Sequence, residues 1–225
     1  VRTREVLALH GQPGSGRCFA GVAAFLGTGF VLRIPDRPGW GTSSERPRGL
    51  PDQASWAAGL VSGPTVLVGY SFGAAVAVLA AGEVPERVAG LVLVAPAVGR
   101  EALVWVDRLL GLDGVGHLGG ALIAGFAERS LAALVAPRAR AAFLVEQRSL
   151  LDHLGEVETA LGRLSVPITV VAARRDRVVP ARAILALRAR VPSAELVVVP
   201  GGHDVLLRWP AVVADAVRTL WRRTS

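Results

Sequence analysis

Three residues have the chemical type and the setting for nucleophilic catalysis: Ser71, Asp176 and His203. Ser71 stands in Gly69-Tyr70-Ser71-Phe72-Gly73, directly after the aliphatic run Val66-Leu67-Val68 and directly before an alanine-rich helical pattern. A Gly-x-Ser-x-Gly turn between strand and helix holds the serine in a strained conformation, with its hydroxyl raised at the strand's carboxyl end. Serine is a poor nucleophile at neutral pH. A histidine must take its proton and later return it to the leaving group, and a carboxylate must orient that histidine. His203 follows Pro200-Gly201-Gly202 after the run Glu195 to Val199, and Asp176 follows the run Ile168 to Ala172. All three therefore lie just beyond strand ends, where open parallel sheets place their ligand sites. Asp204 adjoins His203, but neighbours at a strand-to-helix turn point apart and Asp204 is placed to cap the next helix, so Asp176 is the preferred acid. Arg175 and Arg177 beside it would favour its ionised form if they lie near it.

The oxyanion formed on attack needs two preorganised donors, one from the residue after the nucleophile and one from the earlier strand-to-helix loop. Here those are the backbone amides of Phe72 and Gln12. The Gln12 loop has a rival reading, because Gly11 to Cys18 imitates a phosphate-binding loop. Arg17 stands where that loop needs lysine and Cys18 where it needs a magnesium-binding hydroxyl, so the oxyanion role is preferred, with Pro13 stiffening the loop. Asp36, in the Pro35 to Ser43 turn, reads as a structural group that hydrogen-bonds the turn's backbone.

The elements that must position these residues alternate in type. Strands are expected at Glu5–His10, Phe30–Ile34, Thr65–Val68, Arg87–Val94, Ile168–Ala172 and Glu195–Val199. Helices are expected from about Phe19 to Leu26, from an Asp52 cap to about Val61, over Phe72–Ala81, from Pro180 to about Arg190, and from Val205 to about Arg222 with a break at Pro210. The Arg87–Val94 run is apolar almost throughout, as for a parallel strand covered on both faces. The fold class is α/β, a mostly parallel, doubly wound sheet. Residues 1–98 and 165–225 form its core. Residues 99–164 lack β-branched runs and show helical spacing, so they form an inserted helical cap. Within it Trp105, Leu109, Phe126 and Phe143 are candidates for an apolar substrate pocket, although cap packing explains them equally well. His117 and His153 read as surface or packing histidines.

Composition narrows the function classes. The 225 residues, 52% hydrophobic, suffice for one domain with a real core. The net charge of +7 comes from a chain without lysine, whose arginines are scattered rather than set in a stripe with aromatics, so nucleic-acid binding is not expected. No apolar run approaches the roughly 18 residues of a spanning helix, so no membrane partner is expected. The amino terminus has no signal-peptide layout, which makes a cytoplasmic enzyme the default. Cys18 is the single cysteine, which excludes an internal disulfide and a cysteine-rich metal site. No metal or cofactor is called for.

His-Gly-Gln-Pro-Gly-Ser at 10–15, Asp-Arg-Pro-Gly-Trp-Gly at 36–41, Gly-Tyr-Ser-Phe-Gly-Ala at 69–74, Asp-Arg-Val-Val-Pro at 176–180 and Gly-Gly-His at 201–203 together resemble the α/β-hydrolase superfamily, more narrowly its capped esterase and perhydrolase-like branch. The resemblance covers Leu7 to Ala97 and Val166 to Trp221, and the cap matches only in position. It implies an α/β-hydrolase fold and hydrolysis of a small-molecule ester or thioester through an acyl-enzyme on Ser71. Lactone or carbon–carbon cleavage, or perhydrolysis, on the same triad is the alternative. A hydrolase-like receptor with little turnover is a further one. Two departures stand out. The amino-terminal edge strands of the family are missing, so that edge is either trimmed or completed by a partner, which leaves homo-oligomerisation open. Arg174-Arg175 also replaces the small residue often found before the acid. A serine at 71 speaks against the aspartate-nucleophile relatives.

Overall fold

The computed structural model describes residues 4–103 and 137–224, so His117 and the pocket candidates Trp105, Leu109 and Phe126 lie outside the described residues. Six strands, β1 (Arg4–Leu9), β2 (Phe30–Arg33), β3 (Thr65–Tyr70), β4 (Val88–Val94), β5 (Ile168–Ala173) and β6 (Glu195–Val199), form one sheet in the order β2-β1-β3-β4-β5-β6. Every neighbouring pair is parallel. The order reverses direction once, beside β1, and the loops that carry Gln12 and Ser71 leave the sheet there, after β1 and β3.

Period-2 alternation divides the strand side chains between two layers. Leu7, Leu9, Leu67, Leu91 and Leu93 face one side with Val170 and Ala172, while Val6, Ala8, Val66, Val68, Val92, Val94 and Val171 face the other. The leucine face is covered by helices α2 (Leu50–Gly59), α3 (Phe72–Glu83), α4 (Pro137–Arg163) and α5 (Ala181–Arg190). The valine face is covered by α1 (Ala20–Leu26), α6 (Val205–Arg208) and α7 (Pro210–Thr224). Large and small side chains complement one another: α3 presents Ala74, Ala75, Ala77, Ala80 and Ala81 on the leucine side, so the helix seats closely on the sheet. Buried on nearly all sides, α3 is the helix that carries the serine turn.

Element ends differ modestly from expectation. The first helix opens as a 3₁₀ turn over Gly16–Phe19 before turning α-helical. Asp52 is not the cap of α2. Gly49 holds that position and Asp52 lies within the first turn, where its charge still suits the helix dipole. Pro210 divides the closing helix into α6 and α7, since it lacks the amide that would continue the ladder. Helix α4 runs without interruption, and its Leu150, Leu154, Val157 and Leu161 join the same apolar layer as α3. That half of the segment from 99 to 164 is thus packed into the body of the domain. Among the described residues β2 is an edge strand, with Val31 exposed.

Candidate active site

Ser71 sits between β3 and α3 at φ 55°, ψ −119°, a left-handed conformation that a side chain rarely adopts. The surroundings hold it there. Its amide donates to the Val94 carbonyl at 2.9 Å, and its carbonyl accepts from the amides of Ala74 at 3.0 Å and Ala97 at 3.2 Å. The flanking glycines are required by close approach. A Cβ at Gly73 would lie 2.2 Å from the Leu9 carbonyl oxygen, and one at Gly69 would lie 2.5 Å from the Ala74 Cα.

His203 and Asp176 arrive from the β6–α6 and β5–α5 loops. His203 Nε2 stands 3.0 Å from Ser71 Oγ and Nδ1 stands 2.8 Å from Asp176 Oδ2. The carboxylate can only accept, so Nδ1 carries the proton and Nε2 is left free to accept from the serine hydroxyl. The other carboxylate oxygen, Oδ1, accepts from the amides of Val178 at 2.8 Å and Val179 at 2.9 Å, which fixes which oxygen faces the histidine. Arg175 and Arg177 are exposed, and the Asp176 side chain is only 2% exposed, its partners being those amides and His203. Asp204 takes another role and pairs with Arg208 at 2.5 Å. Tyr70, next to the nucleophile, donates its hydroxyl to the His203 carbonyl at 2.8 Å, with the two rings 5.3 Å apart.

The Gln12 loop lies directly against the serine. A Cβ at Gly11 would be 2.9 Å from Ser71 Cβ, so only a glycine lets this backbone reach the nucleophile. Phe72 is the first residue of α3, so its amide has no acceptor within the helix and faces outward at the positive end of the helix dipole. The phosphate-loop likeness ends in the structure: the Gly16 amide donates to Asp36 Oδ1 at 2.7 Å, and burial pushes the Cys18 thiol up to about 12. Asp36 also accepts from the Thr42 amide at 2.7 Å and hydroxyl at 2.9 Å, the structural role expected of it. Burial works to raise its pKa, but these hydrogen bonds outweigh it and hold the carboxyl below its usual range. Phe143 is buried with Trp40 and Ala142 in a small apolar cluster, and this packing accounts for its position. His153 bonds the Ser149 carbonyl one turn back on α4. Among the described residues no three His, Cys, Asp or Glu side chains converge to hold a metal ion. No described helix is long and apolar enough to cross a membrane.

Beneath the Gln12 loop lies a buried network to which sequence reading gave no role, although His10, Arg37 and Trp40 stand in the stretches 10–15 and 36–41. Arg37 and Glu146 are both fully buried and pair with each other through two oxygens. Gln53 donates to Glu146 at 2.6 Å and accepts from Arg37 at 2.5 Å, and Trp40 Nε1 donates to Glu146 at 2.6 Å. A signal for Glu146 was present: with Gln147 it falls on the stripe of α4 that also carries Phe143, Leu150, Leu154, Val157 and Leu161. A carboxylate on an apolar stripe needs a buried partner. Arg37 stands in the Asp-Arg-Pro-Gly-Trp-Gly stretch at 36–41, but nothing local marks its side chain as buried or names its partner.

His10 belongs to this group. Its Nε2 faces the Arg37 amide, a donor, at 3.0 Å, so Nδ1 carries the proton and donates to the Gly11 carbonyl at 2.8 Å. Burial first, and the Arg37 charge second, lower its pKa from 6.5 to about 3. The folded protein therefore refuses a proton that the unfolded chain accepts below pH 6.5. His10 contributes stability that is complete above this range and is lost as pH falls toward 3. Urea unfolding from pH 7.5 down to about 4 is expected to show His10→Gln losing stability less steeply than the wild type, by up to about 1.4 kcal/mol per pH unit. Parallel slopes would show that His10 is not held neutral.

A parallel, doubly wound sheet with a strained serine at the end of a central strand, in hydrogen-bonding line with a histidine and an aspartate, defines a class of α/β enzyme. Residues 6–216 match the Alpha/beta hydrolase family, and the chain belongs to it. It is an enzyme of the carboxylesterase-like hydrolase type. A pimeloyl-[acyl-carrier protein] methyl ester esterase from Stenotrophomonas maltophilia is 30% identical over 96% of this chain and 92% of its own. Among solved structures, an esterase from Thermogutta terrifontis superposes with a TM-score of 0.77 at 23% identity, over 98% of this chain and 90% of its own. The haloalkane dehalogenase DatA from Agrobacterium tumefaciens C58 superposes with a TM-score of 0.80 at 18% identity, covering 99% and 90%. Enzymes of different chemistry share this fold, so the reaction must be argued from the site.

Proposed function

We propose that this enzyme cleaves a carboxylic ester or thioester through an acyl-enzyme on Ser71. The observation that carries the reading is the continuous line from Ser71 Oγ through His203 to Asp176, at 3.0 and 2.8 Å, with the histidine tautomer set by the carboxylate. In the acylation step Oγ adds to the substrate carbonyl carbon while its proton passes to His203 Nε2. The carbonyl oxygen becomes an oxyanion facing the amides of Gln12 and Phe72. The tetrahedral intermediate collapses as the imidazolium returns its proton to the departing alcohol or thiol. Water, deprotonated by the same histidine, then repeats the sequence to release the acid. Asp176 stays ionised and stabilises the imidazolium. The name of the Stenotrophomonas relative, a methyl ester esterase, supports ester cleavage of this kind.

The test is incubation with a fluorophosphonate followed by peptide mass mapping, alongside stopped-flow assay on short p-nitrophenyl esters. Stoichiometric labelling of Ser71 and a burst of nitrophenol equal to the enzyme concentration are expected. Absence of both would leave a ligand-binding protein with an unused triad as the better reading.

A further inference from the structure

We propose that Arg37, locked by Glu146 from helix α4, is a positioning residue that aims the Gln12 amide at the oxyanion. This rests on the ester-cleaving reading of Ser71. The Gly11–Gln12 peptide is trans, so the Gly11 carbonyl and the Gln12 N–H point in opposite directions from one rigid plane. Whatever holds the carbonyl therefore aims the amide. Two donors hold it: His10 Nδ1 at 2.8 Å and Arg37 Nη2 at 3.1 Å. Arg37 Nε also donates to the preceding carbonyl, that of His10, at 2.8 Å. One planar fork thus fixes two successive peptide groups of the loop that lies against Ser71.

The same guanidinium stacks over the Phe72 ring, 4.8 Å from its centroid, and Phe72 carries the second oxyanion amide. A single side chain therefore braces both segments. Glu146 and Gln53 occupy the remaining guanidinium hydrogens and keep the fork in register. Helix α4 takes a second grip on the loop, since Gln12 Nε2 donates to Gln147 Oε1 at 2.8 Å. The helix that follows the segment 104–136 thus holds the peptide that would stabilise the transition state.

Arg37→Lys separates this role from mere support of the fold. It keeps a buried cation for Glu146, but an ammonium cannot reproduce the planar fork on both carbonyls. Enzyme concentration is set by endpoint titration with a fluorophosphonate, so kcat refers to competent sites only. Turnover is followed on p-nitrophenyl butyrate. Oxyanion stabilisation is read from the Ki of an alkyl trifluoromethyl ketone, to which Ser71 Oγ adds while its proton passes to His203 and the ketone oxygen becomes the oxyanion. The expected result is a fall in kcat per titrated site of roughly 30- to 100-fold, a KM within about threefold, and a Ki raised by a factor similar to the loss of kcat.

An unchanged kcat per site and Ki would reduce Arg37 to a structural residue and overturn the proposal. If Arg37→Lys does not fold, Arg37→Met with Glu146→Met, which leaves neither charge buried, is read in the same way. Failure of both to fold would make the pair a requirement of the fold and overturn the assignment equally. Wild-type protein that the fluorophosphonate does not label would instead overturn the hydrolase reading beneath it.

Discussion

Ser71→Ala is expected to lose turnover of p-nitrophenyl esters by roughly 10⁶-fold while its thermal unfolding stays close to that of the wild type. The hydroxyl is the atom that forms the covalent bond, and the alanine Cβ fits the same backbone. His203→Ala should cost about as much, because the serine then has no base, and the double variant should be no worse than either single one. Asp176→Asn is the more discriminating change. Oδ1 of Asp176 accepts two backbone amides, so an asparagine would keep its oxygen there and turn its NH₂ toward His203 Nδ1. That forces the imidazole proton onto Nε2, facing Ser71 Oγ, where it cannot accept the serine proton. A drop of about 10⁴-fold in kcat follows, with the fold intact. Asp204→Asn serves as the control, since Asp204 pairs with Arg208 on the surface and its loss should leave kcat within about twofold. An Asp204 variant slower than the Asp176 variant would reverse the assignment of the acid.

The second large effect is on stability. Glu146→Leu is expected to lower the free energy of unfolding by about 3–5 kcal/mol, because the Arg37 charge would be left buried without its counter-ion. For a domain of this size that corresponds to a melting temperature lower by roughly 6–20 °C, measurable by circular dichroism. Trp40 Nε1 would lose its acceptor as well, whereas Gln53 would keep its bond to the Arg48 carbonyl. The half-exposed pair Arg48–Glu45 offers the contrast: breaking it should change stability by no more than about 1 kcal/mol, since water reaches both partners. Equal effects at Glu45 and Glu146 would contradict the buried network. The interaction also couples elements far apart in the chain, so its loss should loosen the hold of α4 on the Gln12 loop.

The parts of the site that could be read in advance were those encoded within a few residues. Ser71 was legible as a candidate because a strand, two glycines and an alanine-rich helix are contiguous, and Asp176 and His203 because each lies within four residues of the end of an apolar run. Their place at strand ends followed from the parallel alternation. Pro210 announced its own break. The near-continuous apolar run of Arg87–Val94 announced a strand covered on both faces, but not which helices would cover each face.

What the sequence by itself determined, then, is the α/β class and the strand–turn–helix at Ser71, with His203 and Asp176 as candidates that the fold brings within hydrogen-bonding distance of it, because backbone propensity and side-chain period act over a turn or a strand. What only the tertiary structure decided is how those groups are held. Arg37 and Glu146 lie 109 positions apart and meet because α2, α3 and α4 close over the sheet, so neither residue's neighbours reveal its partner. The histidine tautomers, the oxygen of Asp176 that faces His203, and the peptide plane at Gly11–Gln12 were likewise decided by packing. Each depends on which donors and acceptors are brought together once water is excluded, and burial is a property of the folded chain rather than of any short stretch of it.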